Sequence, residues 1–265
     1  MAKTPIFDVL THPCLNGDYR GRSIEASFAA LAKDLKNTEV KWCCAVGLEG
    51  IGDYQHESFA AECKKYPNIY PVAAFNPKLC TNKNSTEIIA ELENLKKMGF
   101  VAIKLHPRIS KFKVNSAEVE SLFTACELID FPVFLCSYHY GSTETCPLFE
   151  TLTSLLQKFS RLKLLLVHAG AVELLKYMEL ARAHKNVLLD LSMTIIKYQG
   201  SSIDKDLEFM FKHFDRRICI GSDHPEYSLK QLSERFRHFS RGISQEKKDN
   251  IACKNIIGFL GLENV

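Results

Sequence analysis

Short apolar runs rich in β-branched residues recur along the chain, each followed by a longer stretch whose apolar positions fall at helical spacing. The runs are Ile6 to His12, Val40 to Leu48, Ile69 to Asn76, Phe100 to His106, Pro132 to His139, Lys163 to Gly170, Asn186 to Ser192 and Arg217 to His224. Near-continuous apolar runs of this kind belong to parallel strands covered on both faces. Helical stretches fill the intervals. "SIEASFAALAKDLKN" puts Ile24, Phe28, Leu31 and Leu35 on one stripe, with Ser23 as its predicted N-cap. "STEIIAELENLKKMG" opens on Ser85 as cap and stops at Gly99. Six further stretches follow, beginning near Ser116, Pro147, Ala171, Ile203, Glu226 and Ser244. Eight strands alternating with eight helices predict an α/β fold, a single (β/α)8 TIM-type barrel over residues 1–265. A doubly wound open sheet is the rival, but no GxGxxG follows the first strand.

Composition narrows the partners. The chain is 46% hydrophobic and 25% charged with a net charge of +3, and no basic stripe with interleaved aromatics occurs, so nucleic acid is not an expected partner. No apolar run reaches the length of a membrane span, and the polar start "MAKTP" does not read as a signal peptide. The 10 Cys are irregularly spaced, without a CxxC pair, which predicts reduced thiols in a cytoplasmic protein. The expected partner is a small-molecule substrate, with assembly into a homo-oligomer left open.

In such a barrel the chemistry sits at the C-terminal ends of the strands, and ionisable residues concentrate there. Of the 9 His in the chain, His12, His106, His139, His168 and His224 fall at predicted strand ends. Lys104, Arg108, Cys136, Tyr138, Asp190 and Asp223 join them. On the first strand, period two places Asp8, Leu10 and His12 on one face. Each has a plainer alternative. Asp223 could cap the following helix, His12 could be a satisfied core histidine, Cys136 could be a small buried filler and Arg108 an exposed loop residue. Asp190 is expected to face the helix layer or pair locally, because its neighbours alternate apolar.

The motifs "FDVLTHP", "GFVAIKLHPR", "FPVF", "LLLVHAG", "NVLLDLS", "ICIGSDHP" and "NIIGFLGL" run in order along almost the whole chain. Together they resemble the amidohydrolase-related (family 2) branch of the amidohydrolase superfamily. The resemblance implies a metal-dependent hydrolase, with some relatives acting as decarboxylases or metal-free lactonases. It also implies a metal held by an HxH pair on the first strand, a His on the fifth and an Asp on the eighth, with a sixth-strand His beside it. Here His12 matches the second His of the pair, Leu10 stands in the place of the first, and Cys136 stands in the place of the fifth-strand His. His168 and Asp223 match the remaining positions.

The expected metal set is therefore His12, Cys136, His168 and Asp223, which would suit zinc, or no metal at all given the two altered positions. Asp223 is expected to act as base toward water and His168 to polarise the substrate carbonyl. Lys104, His106, Arg108, Tyr138 and His139 are the expected substrate-binding residues, the cations suiting an anionic group. The function so read is hydrolysis of an amide, ester or lactone of a small anionic substrate. The alternative is a non-catalytic barrel that binds a small molecule or a protein partner.

Overall fold

The computed structural model describes residues 4–138 and 148–263. Eight parallel strands form the sheet in sequence order: β1 (Ile6–Thr11), β2 (Val40–Val46), β3 (Ile69–Ala74), β4 (Ala102–Leu105), β5 (Val133–Cys136), β6 (Leu164–Val167), β7 (Val187–Asp190) and β8 (Ile218–Cys219). Helices between them complete a (β/α)8 barrel, as expected. No helix among the described residues is long and apolar enough to cross a membrane. The described cysteines are all free, and Cys43, Cys44 and Cys219 are buried as core filler.

Each strand is shorter than its apolar run, because the polar residues at its end have already left the ladder. Two layers of side chains follow from the alternation. One cluster takes residues from all eight strands, including Phe7, Val9, Cys44, Val72, Ala102, Phe134, Leu165, Leu188 and Cys219. It fills the barrel, and Ile256 with its neighbours in the C-terminal helix packs against it. The other layer lies between strands and helices, with Cys43, Ile103, Leu135, Leu166 and Leu189 facing Leu31, Ile88, Leu122 and Leu152.

Several local expectations shift. The first helix is Phe28–Asn37, and its cap is Ser27, whose side chain accepts from the Ala30 N–H, not Ser23. Residues before it are tied into a loop instead, through bridges from Cys14 to Ser27 and Asp18 to Glu25. Asn84, not Ser85, caps Ser85–Met98, because it forms a reciprocal capping box with Glu87. Gly99 ends that helix with φ 105°, as predicted. The eight-residue helix His56–Cys63 was not foreseen; its N-cap makes no side-chain bond that would have marked it.

The barrel closes between β8 and β1 through side chains as much as backbone. The Val9 N–H donates to Ile220 O at 3.1 Å, the Asp223 N–H to Leu10 O at 2.9 Å and the His12 N–H to His224 O at 2.7 Å. Asp8, fully buried, accepts from the Ser222 N–H (2.9 Å), the Ser222 hydroxyl (2.5 Å) and the Leu10 N–H (3.2 Å). A bulge accompanies this: three steps on β1 from Asp8 to Thr11 match two on β2 from Cys43 to Ala45. Asp8 therefore serves the seam, and its shared face with His12 is broken between them.

Gly221 makes this closure possible. A Cβ there would meet Ser192 Cβ at 2.9 Å, Asp8 Oδ1 at 3.0 Å and the Leu10 nitrogen at 3.1 Å. Gly221→Ala should lower stability by about 1–3 kcal/mol through overpacking. The check is a urea titration in which the midpoint falls at unchanged slope; an unmoved midpoint would show that the seam can yield.

Candidate active site

A cavity of about 230 Å³ opens at the C-terminal mouth of the barrel. Of the residues expected to carry chemistry, His12, Lys104, His106, Arg108, Tyr138, His168 and Asp223 all line it. Cys136 does not; it lies beneath, fully buried, within hydrogen-bonding reach of His106 and His168. His139 lies outside the described residues. Asp190 pairs locally, accepting from the N–H (2.7 Å) and hydroxyl of Ser192. It shares its face with Leu188 of the interior cluster, not with the helix layer.

Besides Arg20 (φ 61°) on the loop after β1, three residues at the mouth hold left-handed backbone: His168 (φ 68°), Met193 (φ 58°) and Asp223 (φ 66°). Each such conformation costs a non-glycine residue on the order of 1 kcal/mol or more. All three sit just past β6, β7 and β8, where the turn re-aims the side chain toward the cavity. The strain is thus concentrated where the chemistry is expected.

Hydrogen bonds fix the imidazoles. His12 Nδ1 lies 2.8 Å from Val46 O, and a carbonyl only accepts, so Nδ1 carries the hydrogen. Nε2 then faces Asp223 Oδ1 at 3.4 Å. Tyr19 stacks on His12 with centroids 6.3 Å apart. His168 Nδ1 lies 3.0 Å from Ser192 O and by the same argument donates, which leaves Nε2 for Cys136. His106 Nδ1 accepts from the Ile109 N–H at 3.4 Å as a helix cap, so its hydrogen sits on Nε2.

The His106 tautomer suits a charged Cys136, and His168 suits it when its second nitrogen is protonated as well. Burial alone would push its thiol up, but the His106 charge, hydrogen bonds from His106 and His168 and the Lys104 charge together hold it well below the usual thiol range. Burial pulls His168 down, yet its bond to Cys136 and the nearby Asp223 charge outweigh that and raise it. Burial also lowers Lys104, against the opposing pull of Cys136, Asp190 and Asp223.

The walls are cationic. Arg20, Lys104, Arg108 and Lys197 line the cavity against the carboxylates Asp223 and Glu226. Glu226 is already paired with Arg22. The Arg108 guanidinium lies 5.0 Å and the Lys197 ammonium 4.8 Å from the centre of the Tyr138 ring, and Lys197 also donates to the Tyr138 hydroxyl at 3.1 Å. Tyr138 thus holds two cations at the rim. The sequence reading missed Tyr19, Arg20, Met193, Lys197, Glu226 and Tyr227. All but Lys197, which ends the short helix Thr194–Lys197, come from loops; the long Gly-containing segment "NGDYRGRS" after the first strand was the available signal for Tyr19 and Arg20.

The four residues expected to bind metal fall into two pairs, His12 with Asp223 and Cys136 with His168. Among the described residues no three His, Cys, Asp or Glu side chains gather closely enough to hold a metal ion. Leu10, in the place of the first histidine, is fully buried in the interior apolar cluster. The residues present do not fit the metal centre that the resemblance implies, zinc included.

The sequence model of the amidohydrolase family matches residues 46–262. No curated protein matches the sequence. Among solved structures, an uncharacterised TIM-barrel protein from Bordetella bronchiseptica superposes with a TM-score of 0.80 at 18% identity, covering 97% of this chain and 98% of that one. A probable 2-pyrone-4,6-dicarboxylic acid hydrolase from Acinetobacter baumannii, with citric acid bound, gives 0.69 at 16% identity over 97% and 99% of the chains. A 5-carboxyvanillate decarboxylase from Novosphingobium aromaticivorans, complexed with manganese, gives 0.70 at 11% identity over 97% and 96%.

Proposed function

Since the chain belongs to the amidohydrolase family, we propose that it cleaves an ester, lactone or amide bond in a small anionic molecule with water activated by Asp223. The observation that carries this reading is the Asp223–His12 pair in a cavity walled by Arg20, Lys104, Arg108 and Lys197. The related folds named for a pyrone dicarboxylate hydrolase and a carboxyvanillate decarboxylase act on anionic small molecules, in keeping with that wall. Free, buried thiols suit a reducing compartment such as the cytoplasm.

In this reading Asp223 takes a proton from water as the water oxygen bonds to the carbonyl carbon. The C=O pair moves onto the carbonyl oxygen. Collapse breaks the bond to the leaving oxygen or nitrogen, which takes the proton back from Asp223. His12, anchored on Val46 O, keeps the carboxylate aimed and shares its proton. His168, raised in pKa beside Cys136, adds positive charge to the wall. Arg108 and Lys197, spaced by Tyr138, hold a carboxylate of the substrate at the rim.

The test is a panel of carboxylated lactones, esters and amides, with hydroxybenzoates to detect carboxyl-lyase activity. Turnover of a carboxylated ester, lactone or amide supports the reading. Decarboxylation alone replaces it with a lyase, and no turnover leaves a binding protein. On the substrate so found, Arg108→Met and Lys197→Met should each raise KM about tenfold at little change in kcat, the loss of one charge-assisted bond. Equal losses in kcat would place these cations at the reacting atoms instead.

A further inference from the structure

Lys104 is the most deeply placed cation of the cavity. It is 3% exposed, yet it lines the cavity. It shares the inward face of β4 with Ala102, a member of the interior cluster. Among the described residues no carboxylate lies within 4.0 Å of its ammonium, although it feels Cys136, Asp190 and Asp223 electrostatically. A buried ammonium that no carboxylate contacts is costly, and an anion arriving in the cavity would lower that cost.

Its position relative to the two separated pairs is the telling feature. Cys136 belongs to one pair and Asp223 to the other, and Lys104 interacts with both. Its ammonium, buried and without a carboxylate contact among the described residues, thus stands beside the very groups a metal would need as ligands. A divalent ion entering there would meet like charge, and it would find Leu10 where a first-strand donor is expected.

We propose that the Lys104 ammonium is the resident electrophile of this site, taking the place of a divalent metal, and that the site excludes a metal from that position. The inference rests on the reading of this cavity as the reactive centre. As water adds, the ammonium stabilises the negative charge that moves onto the carbonyl oxygen, while Asp223 holds the water proton until the leaving group takes it back on collapse. No oxidant, reductant or further reactant enters. Lys104 keeps its three protons throughout, acting as a hydrogen-bond donor and a charge.

Two measurements on the full chain test this, with zinc, manganese and malonate as probes. Protein purified without chelator is dialysed against Zn²⁺ or Mn²⁺, gel-filtered and analysed for metal. Malonate affinity is measured by calorimetry on the wild type and on Lys104→Met, with circular dichroism to confirm folding. The expected results are metal well below one equivalent and malonate binding weakened about tenfold in the variant. One equivalent of metal retained by the wild type and lost in Asp223→Asn would overturn the proposal, as would unchanged malonate affinity in a folded Lys104→Met.

If that variant does not fold, acetylation of Lys104 in the wild type by acetic anhydride, followed by mass spectrometry, replaces it. Malonate should slow this modification several-fold, and no protection would overturn the proposal. Failure of every substrate in the panel would sink the hydrolytic reading while leaving these metal and anion results to be judged separately.

Discussion

Asp223→Asn should lower kcat/KM by about 10²–10⁴-fold, with the loss in kcat, on whichever ester, lactone or amide the protein turns over. The expectation follows from what the substitution keeps as well as what it removes. Asp223 holds φ 66°, and its N–H donates to Leu10 O at 2.9 Å across the β8–β1 seam. Asn tolerates left-handed backbone better than other non-glycine residues, so the seam and the strain stay as they are. The amide can still face His12 Nε2, now 3.4 Å from a carboxylate oxygen, but it cannot take a proton from water. Circular dichroism and urea titration should therefore show a fold within about 1 kcal/mol of the wild type while turnover collapses. A rate within about tenfold of the wild type would remove Asp223 from the chemistry and return it to the role of a strand-end cap. Asp223→Ala is the weaker test, since it adds backbone strain to the loss of the base.

The barrel was legible because parallel strands buried on both faces write themselves as apolar runs, and all eight were found. What failed was local. Ser23 and Ser85 look like caps, but Ser27 and Asn84 hold the bonds, because tertiary ties through Cys14 and Asp18 delay the first helix and Glu87 reaches back to Asn84. The site was legible as a set of residues at strand ends, and seven of them do line one cavity. Their mutual arrangement was not legible. Whether His12, Cys136, His168 and Asp223 converge depends on the bulge in β1 and on left-handed backbone at His168 and Asp223. No residue pattern announces those. Arg20 arrives from a loop and Lys197 from the short helix Thr194–Lys197, and the course of both is set by packing far from them in sequence. Asp8 shows the limit most sharply: read as a polar neighbour of His12, it instead holds Ser222 and closes the barrel.

That role gives Asp8 the largest expected effect on stability, and its sign depends on the replacement and on pH. Burial raises the Asp8 carboxyl from 3.8 to about 7, against the lowering effect of its bonds from Ser222 and Leu10. The folded state therefore favours the protonated form more than the unfolded chain does. Stability from this group is fully present below pH 3.8 and is lost as pH rises through about 7, amounting to about 4 kcal/mol over the shift. Asp8→Asn removes the titration and keeps the shape. Its amide oxygen can accept the Leu10 and Ser222 N–H bonds that Oδ1 now takes, and its amide nitrogen can donate to the Ser222 hydroxyl. This variant should lose the group's pH dependence and be at least as stable as the wild type at pH 8. Asp8→Ala leaves two buried N–H groups and a hydroxyl without their acceptor and should cost about 3–5 kcal/mol at pH 5. Urea titrations of the three proteins at pH 5 and pH 8 decide the matter. If Asp8→Asn is as damaging as Asp8→Ala at pH 8, the seam needs the ionised carboxylate, and the protonated form is not what closes this barrel.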